Sequence, residues 1–216
     1  MSAAQELRNN RVILEPASEA NVDLLVRWTL DPVAQGPYKR VPEMSAAQLR
    51  ELFLHEQSRE YYVIRLIRDG TPVGRLYWRA WRFTPDPDLI DWELNILLAE
   101  PDIRGRGLGS SSQELAVRHL LGRRSTRSVF AYTATENHAE RRALQKAGLH
   151  ELGPLPHPRY PVPFPEGEWR VYSTWTPAET GPAQNAGRGA GQASLVPLEV
   201  GAPRRNRTFN LLIKRP

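Results

Sequence analysis

The sequence predicts an α/β chain built on one mixed, mostly antiparallel central sheet with helices on both faces. Three observations carry this. The aromatic and β-branched run EYYVIRLIRDGTPVGRLYWRAW (60–81) is broken once, at Asp69-Gly70, a strong hairpin signal. The order strand, helix, strand over 89–133 demands a parallel crossover if both strands share a sheet. The remaining amphipathic segments are short and carry start and stop residues of their own.

In chain order, RVILEP (11–16) reads as a short strand, and Ser18 is expected to cap a helix with Leu24, Leu25 and Trp28 on one face, stopped by Asp31-Pro32. Ser45 and Gln48 fit a capping box for a second helix with Leu49, Leu52 and Phe53 at core spacing. The hairpin follows. Its second strand alternates Arg75, Tyr77, Arg79 and Trp81 with Leu76, Trp78 and Ala80, as a sheet with one covered side does. LIDWELNILLA (89–99) is a third, partly buried strand. The glycine-rich IRGRGLGSSS (103–112) then opens a helix with Leu115, Ala116, Leu120 and Leu121 as its apolar face and Gly122 as its end. SVFAYT (128–133) is a strand, and Asn137 caps the helix after it, with Glu140 placed to complete a capping box and Gly148 as the stop. Ala143, Leu144 and Ala147 face inward. HELG (150–153) and WRVYSTW (169–175) add two strands around a proline-rich loop.

At 216 residues the chain has room for one domain with a sizeable core, assigned to 1–177. Residues 178–216 have the composition of a disordered extension. They also hold the charge excess: the net charge is +5, yet 1–177 carries 23 basic and 22 acidic residues. Basicity confined to a tail argues against a nucleic-acid partner for the body. The stretch RNRTFNLLIK (205–214) admits a back-translation whose reverse complement resembles the anticodon loop and T-arm of a lysine tRNA gene. Our hypothesis is that this frame runs antisense through such a gene and that the tail is spurious; a genomic sequence without a tRNA there would refute it.

Several classes drop out on composition. There is no cysteine, and the five histidines lack metal-ligand spacing, so no metal is expected. No apolar run reaches the roughly 18 residues of a membrane span, and MSAAQELRNN lacks the apolar core of a signal peptide, so a cytoplasmic location is expected.

The glycine segment carries the chemistry. Gly105, Gly107 and Gly109 let backbone N–H groups turn toward one point, and the helix start behind them adds a positive dipole end. Such a cradle suits a pyrophosphate. The dinucleotide pattern G-x-G-x-x-G fails on spacing, and a P-loop fails because 109–111 is Gly-Ser-Ser.

Arg104-Gly105-Arg106-Gly107-Leu108-Gly109 matches the R/Q-x-x-G-x-G/A signature of the GNAT family of N-acetyltransferases, and NHAERRALQKAGL (137–149) is similar to the family's second motif. Leu14-Glu15-Pro16, Trp28 and Asp31-Pro32 resemble the branch that acetylates ribosomal-protein N-termini and related aminoglycoside acetyltransferases. The resemblance covers roughly 11–176. It implies the GNAT acyl-CoA N-acyltransferase fold, acetyl-CoA as cosubstrate, a primary amine as acceptor, and direct transfer without a covalent intermediate. It further implies that 104–109, Ser110 and Asn137 hold the cofactor, that Ile96, Leu97 and Leu98 lie along its pantetheine arm, and that Glu93 takes the amine proton. Strand alternation puts Asp91 and Asn95 on the face of Glu93.

The family's general-acid tyrosine aligns with Leu144, and Glu140 stands where ribosomal-type members often have serine, leaving water or Tyr132 for that role. Specificity is expected from loops at 32–43, 85–88 and 153–168: Asp86, Asp88 and Asp91 for a cationic amine, Tyr38, Tyr160 and Phe164 for an apolar wall. Two other classes remain open, a non-catalytic acyl-CoA-binding protein and a nucleic-acid module resting on the arginine–aromatic hairpin. Monomer and homodimer are equally open.

Overall fold

A computed structural model describes residues 5–160 and 167–175. The proposed tail, its tRNA-like stretch and Phe164 lie outside these residues. Eight strands form one sheet in the order β1-β2-β3-β4-β5-β6-β8-β7: β1 Leu7–Arg8, β2 Val12–Pro16, β3 Arg59–Leu66, β4 Pro72–Trp81, β5 Ile90–Leu98, β6 Thr126–Ala134, β7 His150–Pro154 and β8 Trp169–Ser173. Every neighbouring pair is antiparallel except β5–β6, the crossover foreseen from the strand–helix–strand order. Helices α1 (Val22–Leu30), α2 (Pro32–Gln35) and α3 (Ala46–His55) precede the hairpin; α4 (Leu108–Leu121) makes the crossover and α5 (His138–Lys146) follows β6.

The helices divide between the faces. Val22, Leu25, Trp28, Leu49 and Phe53 of α1 and α3 pack with Tyr61, Val63 and Leu97 of the sheet. On the opposite face, Leu108, Leu115, Ala116 and Leu120 of α4 and Leu144 of α5 pack with Leu76, Trp78, Trp92, Leu94 and Ile96. A third cluster, Trp81, Phe130, Leu155, Tyr160 and Val171, closes the end of the sheet under the loop after β7. The hairpin aromatics are mostly interior: Tyr62 and Trp78 are fully buried, with ring centroids 4.4 Å apart. They are core rather than a stacking platform.

Local expectations fare unequally. Ser45 and Gln48 form both halves of their capping box, and Gly70 (φ +70°) and Gly148 (φ +89°) take the left-handed conformations their turns require. Ser18, however, does not cap α1. The helix begins at Val22 after a turn in which Asn21 Oδ1 accepts from the Ser18 N–H, and Asn21 has no side-chain cap bond of its own. Asp31-Pro32 stops α1 and also starts α2, with Asp31 Oδ1 accepting from Val33 N–H. Leu121 is half exposed, its place in the apolar face taken by Leu108 and Val117. At α5 only half of the expected box forms: Asn137 Oδ1 accepts from Glu140 N–H, while the Glu140 carboxylate accepts from Gln113 Nε2 at 2.8 Å. No helix among the described residues is long and apolar enough to cross a membrane.

Candidate active site

The site begins where the two parallel strands part. β5 and β6 pair from Ile90↔Thr126 to Glu93↔Phe130 and no further, although β5 runs on to Leu98 and β6 to Ala134. Which backbone groups face the opening follows from the ladders. Ala99 N–H donates to Val73 O and Ile90 N–H to Ser125 O. By strand alternation, Leu97, Asn95 and Glu93 turn their backbone groups to β4, while Leu94, Ile96 and Leu98 turn theirs to β6. The same logic, anchored by Thr174 N–H to Val129 O and Thr135 N–H to Glu168 O, aims Tyr132 and Ala134 back at β5. The split is thus edged by hydrogen-bonding groups of Ile96, Leu98 and Tyr132.

The split opens onto the glycine segment. Gly105 (φ +75°) and Gly107 (φ +78°) hold left-handed conformations, and Gly107 is the residue from which α4 starts. The first helical bond runs from Ser111 N–H to Gly107 O, so the N–H groups of Leu108, Gly109 and Ser110 are the first-turn donors without helical acceptors. A Cβ on Gly109 would meet Leu98 Cδ1 at an ordinary 3.7 Å, so packing does not demand glycine there. Beside the turn lies an open groove of about 480 Å³ lined by Arg11, Gly107, Ser110, Arg118 and Lys146. Glu114 also lines the groove and accepts from Arg118 Nη2 at 2.7 Å, so the first-turn donors, the dipole and the cations Arg11 and Lys146 are what it offers to a pyrophosphate.

Arg104 and Arg106 differ in what they offer. The Arg104 guanidinium bonds to carbonyl oxygens of Leu98 (3.0 Å), Val33 (3.2 Å) and Ala34 (2.9 Å), tying the end of β5 to α2. Arg106 is exposed, and its carbonyl accepts from Arg11 Nη2 at 2.7 Å.

The sheet face under α1–α3 carries the titratable groups. Glu93 is buried; its Oε2 accepts from Trp81 Nε1 at 2.7 Å and its Oε1 from the Tyr132 hydroxyl at 3.5 Å. Burial, and then the Glu93 charge, push the Tyr132 phenol well above its ordinary range, so it keeps its proton. Lys39, in the loop after α2, donates from Nζ to Asn95 Oδ1 at 2.8 Å. Burial and then Arg75 push its ammonium down to about 8, against the opposing pull of Glu140 and Glu93. Burial pushes Glu140 up, with Lys39 the main opposing influence.

A family model described as an acetyltransferase (GNAT) domain matches residues 11–150. The chain belongs to the GNAT acetyltransferase family. Solved structures with this fold include the aminoglycoside acetyltransferase AAC(6')-Ib in complex with coenzyme A, at 21% identity over 74% of this chain and 93% of that one, TM-score 0.59. RimL, a ribosomal α-N-protein acetyltransferase in complex with coenzyme A, gives 17% identity over 78% and 97%, TM-score 0.62. A spermidine N-acetyltransferase SpeG chimera from Vibrio cholerae and hSSAT gives 15% over 75% and 93%, TM-score 0.58. No curated protein sequence matches at a significant level.

In this GNAT N-acetyltransferase, Ile96 and Leu98 stand on the part of β5 beyond its pairing with β6, Gly105 to Ser110 lead into and open α4, and Asn137 caps α5. Leu97 has its backbone turned to β4 and its side chain in the α1–α3 core. Of the polar residues grouped with Glu93, Asp91 is withdrawn into a buried network: both oxygens bond Arg127, and Ser128 donates to one of them. Tyr160 is also interior, stacked on Phe130 at 4.3 Å and bonded to Ser128 and Ser173. It cannot wall an acceptor pocket. Leu144 is buried in the α4–α5 core, so no hydroxyl stands at that position. The sequence reading missed Arg11, Gln113 and Lys39. Nothing local distinguishes Lys39 from its neighbours in PYKR; only its contact with a strand 56 positions away does.

Proposed function

We propose that the chain transfers the acetyl group of acetyl-CoA to a primary amine by direct attack. The observation that carries this is the parting of β5 and β6 beyond Glu93 and Phe130, open along its edge and ending at the first-turn donors of α4. Leu108, Gly109 and Ser110 N–H groups would hold the pyrophosphate, with Arg11 as the nearby cation. Edge groups of Ile96 and Leu98 would align the pantetheine arm, and the Ile96 N–H would polarise the thioester carbonyl. Acetyl-CoA supplies the activated acyl group. Glu93, held by Trp81 and Tyr132, would take the proton that the amine must lose. The acceptor is a small amine or a protein N-terminus, which the loops over the α1–α3 face would select.

Calorimetric titration of acetyl-CoA into the full chain tests the cofactor assignment. Stoichiometric binding, followed by thiol release with a panel of amines and peptide N-termini, is the expected result. Absence of binding would overturn the proposal. Binding without turnover on any amine would favour the alternative of a non-catalytic acyl-CoA-binding protein, for which the apolar Leu144 speaks.

A further inference from the structure

The chain contains three lysines, Lys39, Lys146 and Lys214, among 29 basic residues. Arginine cannot lose its proton in a protein; lysine can, and as a neutral amine it is a nucleophile. Of the two lysines among the described residues, Lys39 is the one bonded to the parted strand β5. Its Nζ bonds Asn95 Oδ1 on β5, two residues beyond the last β5–β6 pair, and it lies within the fields of Glu93 on β5, Glu140 at the start of α5 and Arg75 on β4. The direct contact is with β5, on the portion of it that has parted from β6. The loop bearing it is held there by a neighbouring contact, Tyr38 Oη to the Glu136 carbonyl in the β6–α5 turn at 3.3 Å.

We propose that Lys39 is an acyl acceptor of the chain's own site, acetylated on Nζ by a thioester bound in the split. This rests on the acetyl-CoA reading above. The Nζ lone pair forms the C–N bond to the acetyl carbon, and the C–S bond breaks with its electron pair on sulfur. The proton shed by the amine, collected by Glu93 or water, ends on the thiolate, giving N-acetyl-lysine and free thiol. No oxidant or further reactant is needed. Three features favour the step: the amine is held rather than free to search, its partial desolvation favours the neutral form, and a buried carboxylate is at hand. An amide product is stable, so the fast step occurs once, at Lys39.

The test incubates the full chain with acetyl-CoA in the absence of any amine and follows intact mass and peptide maps. Acetylation of Lys39 at least about tenfold faster than of Lys146 or Lys214 is expected, from the advantage of a held nucleophile. The rate constant should be independent of protein concentration and rise with pH to a midpoint near 8. Lys39→Arg should show no such fast phase, and acetyl phosphate, which has no pantetheine arm, should show no preference for Lys39. If calorimetry shows acetyl-CoA bound while Lys39 stays unmodified, or is modified no faster than the other two lysines, this inference is overturned and the transferase reading stands. If acetyl-CoA does not bind at all, both fall.

Discussion

Trp81 donates its indole N–H to Glu93 Oε2 across 2.7 Å, binding a residue near the end of β4 to the buried carboxylate directly opposite its own strand neighbour Arg79. A carboxyl group out of water needs such partners, and here it has one strong donor and a second, weaker one in Tyr132. Glu93→Gln keeps the shape and removes the proton acceptor. We expect kcat to fall by roughly 10²-fold or more, the usual worth of a positioned general base, with the acetyl-CoA Kd unchanged by calorimetry. Trp81→Phe should lower kcat by less, because the carboxylate remains but is less firmly aimed.

Ser110 separates cofactor binding from stability. Ser110→Asp places a negative charge in the first turn of α4, where the dipole stabilises it by about 0.3–1 kcal/mol. The same charge would repel a pyrophosphate from the groove it lines. An unchanged or raised Tm together with lost acetyl-CoA binding is the expected pair of results, and retained binding would remove the pyrophosphate from this turn.

Arg104 is expected to act as a tie and not as a phosphate ligand, since its guanidinium already bonds three carbonyl oxygens. Arg104→Met should cost roughly 2 kcal/mol in urea denaturation, the scale of losing charged donors from carbonyl acceptors. Acetyl-CoA affinity should drop with it as β5 and the glycine loop lose their anchor. Weakened binding at full stability would instead mean direct contact with the cofactor.

Asp91 gives a stability prediction away from the chemistry. Its side chain is fully buried and faces Arg127, itself only 17% exposed. Removing the cation leaves a buried carboxylate whose remaining partner is Ser128. Arg127→Met should destabilise the fold by about 3 kcal/mol, measured by urea denaturation with the kcat of the folded fraction little changed. A loss below about 1 kcal/mol would place the pair with ordinary surface ion pairs.

Much of the fold was legible because its signals are local. The Asp69-Gly70 turn, the Ser45–Gln48 box and Gly148 each act within a few residues, and each does in the structure what its chemistry requires. The alternation of Asp91, Glu93 and Asn95 was equally readable, since side-chain direction along a strand has a fixed period. Ser18 misled because a serine before an apolar run suits a turn as well as a cap, and Asn21 three residues on held the turn. Leu121 misled because a helix's inward arc is set by what it packs against, not by its own apolar residues alone.

The sequence by itself determined the order of the longer elements, though not the two-residue β1 or the single-turn α2, together with the parallel crossover and the glycine-led start of α4, all products of backbone propensity and short-range spacing. Tertiary structure alone decided what each polar side chain does. Asp91, Glu93 and Asn95 are equivalent in alternation, yet one is consumed by Arg127, one is held by Trp81, and one meets Lys39. Those partners lie between 12 and 56 positions away, and they meet only because the sheet order brings β4, β6 and the loop after α2 around β5. The split itself is of this kind: two strands that read as ordinary neighbours part beyond Glu93, because the pairing of each with its outer neighbour continues while their pairing with one another does not.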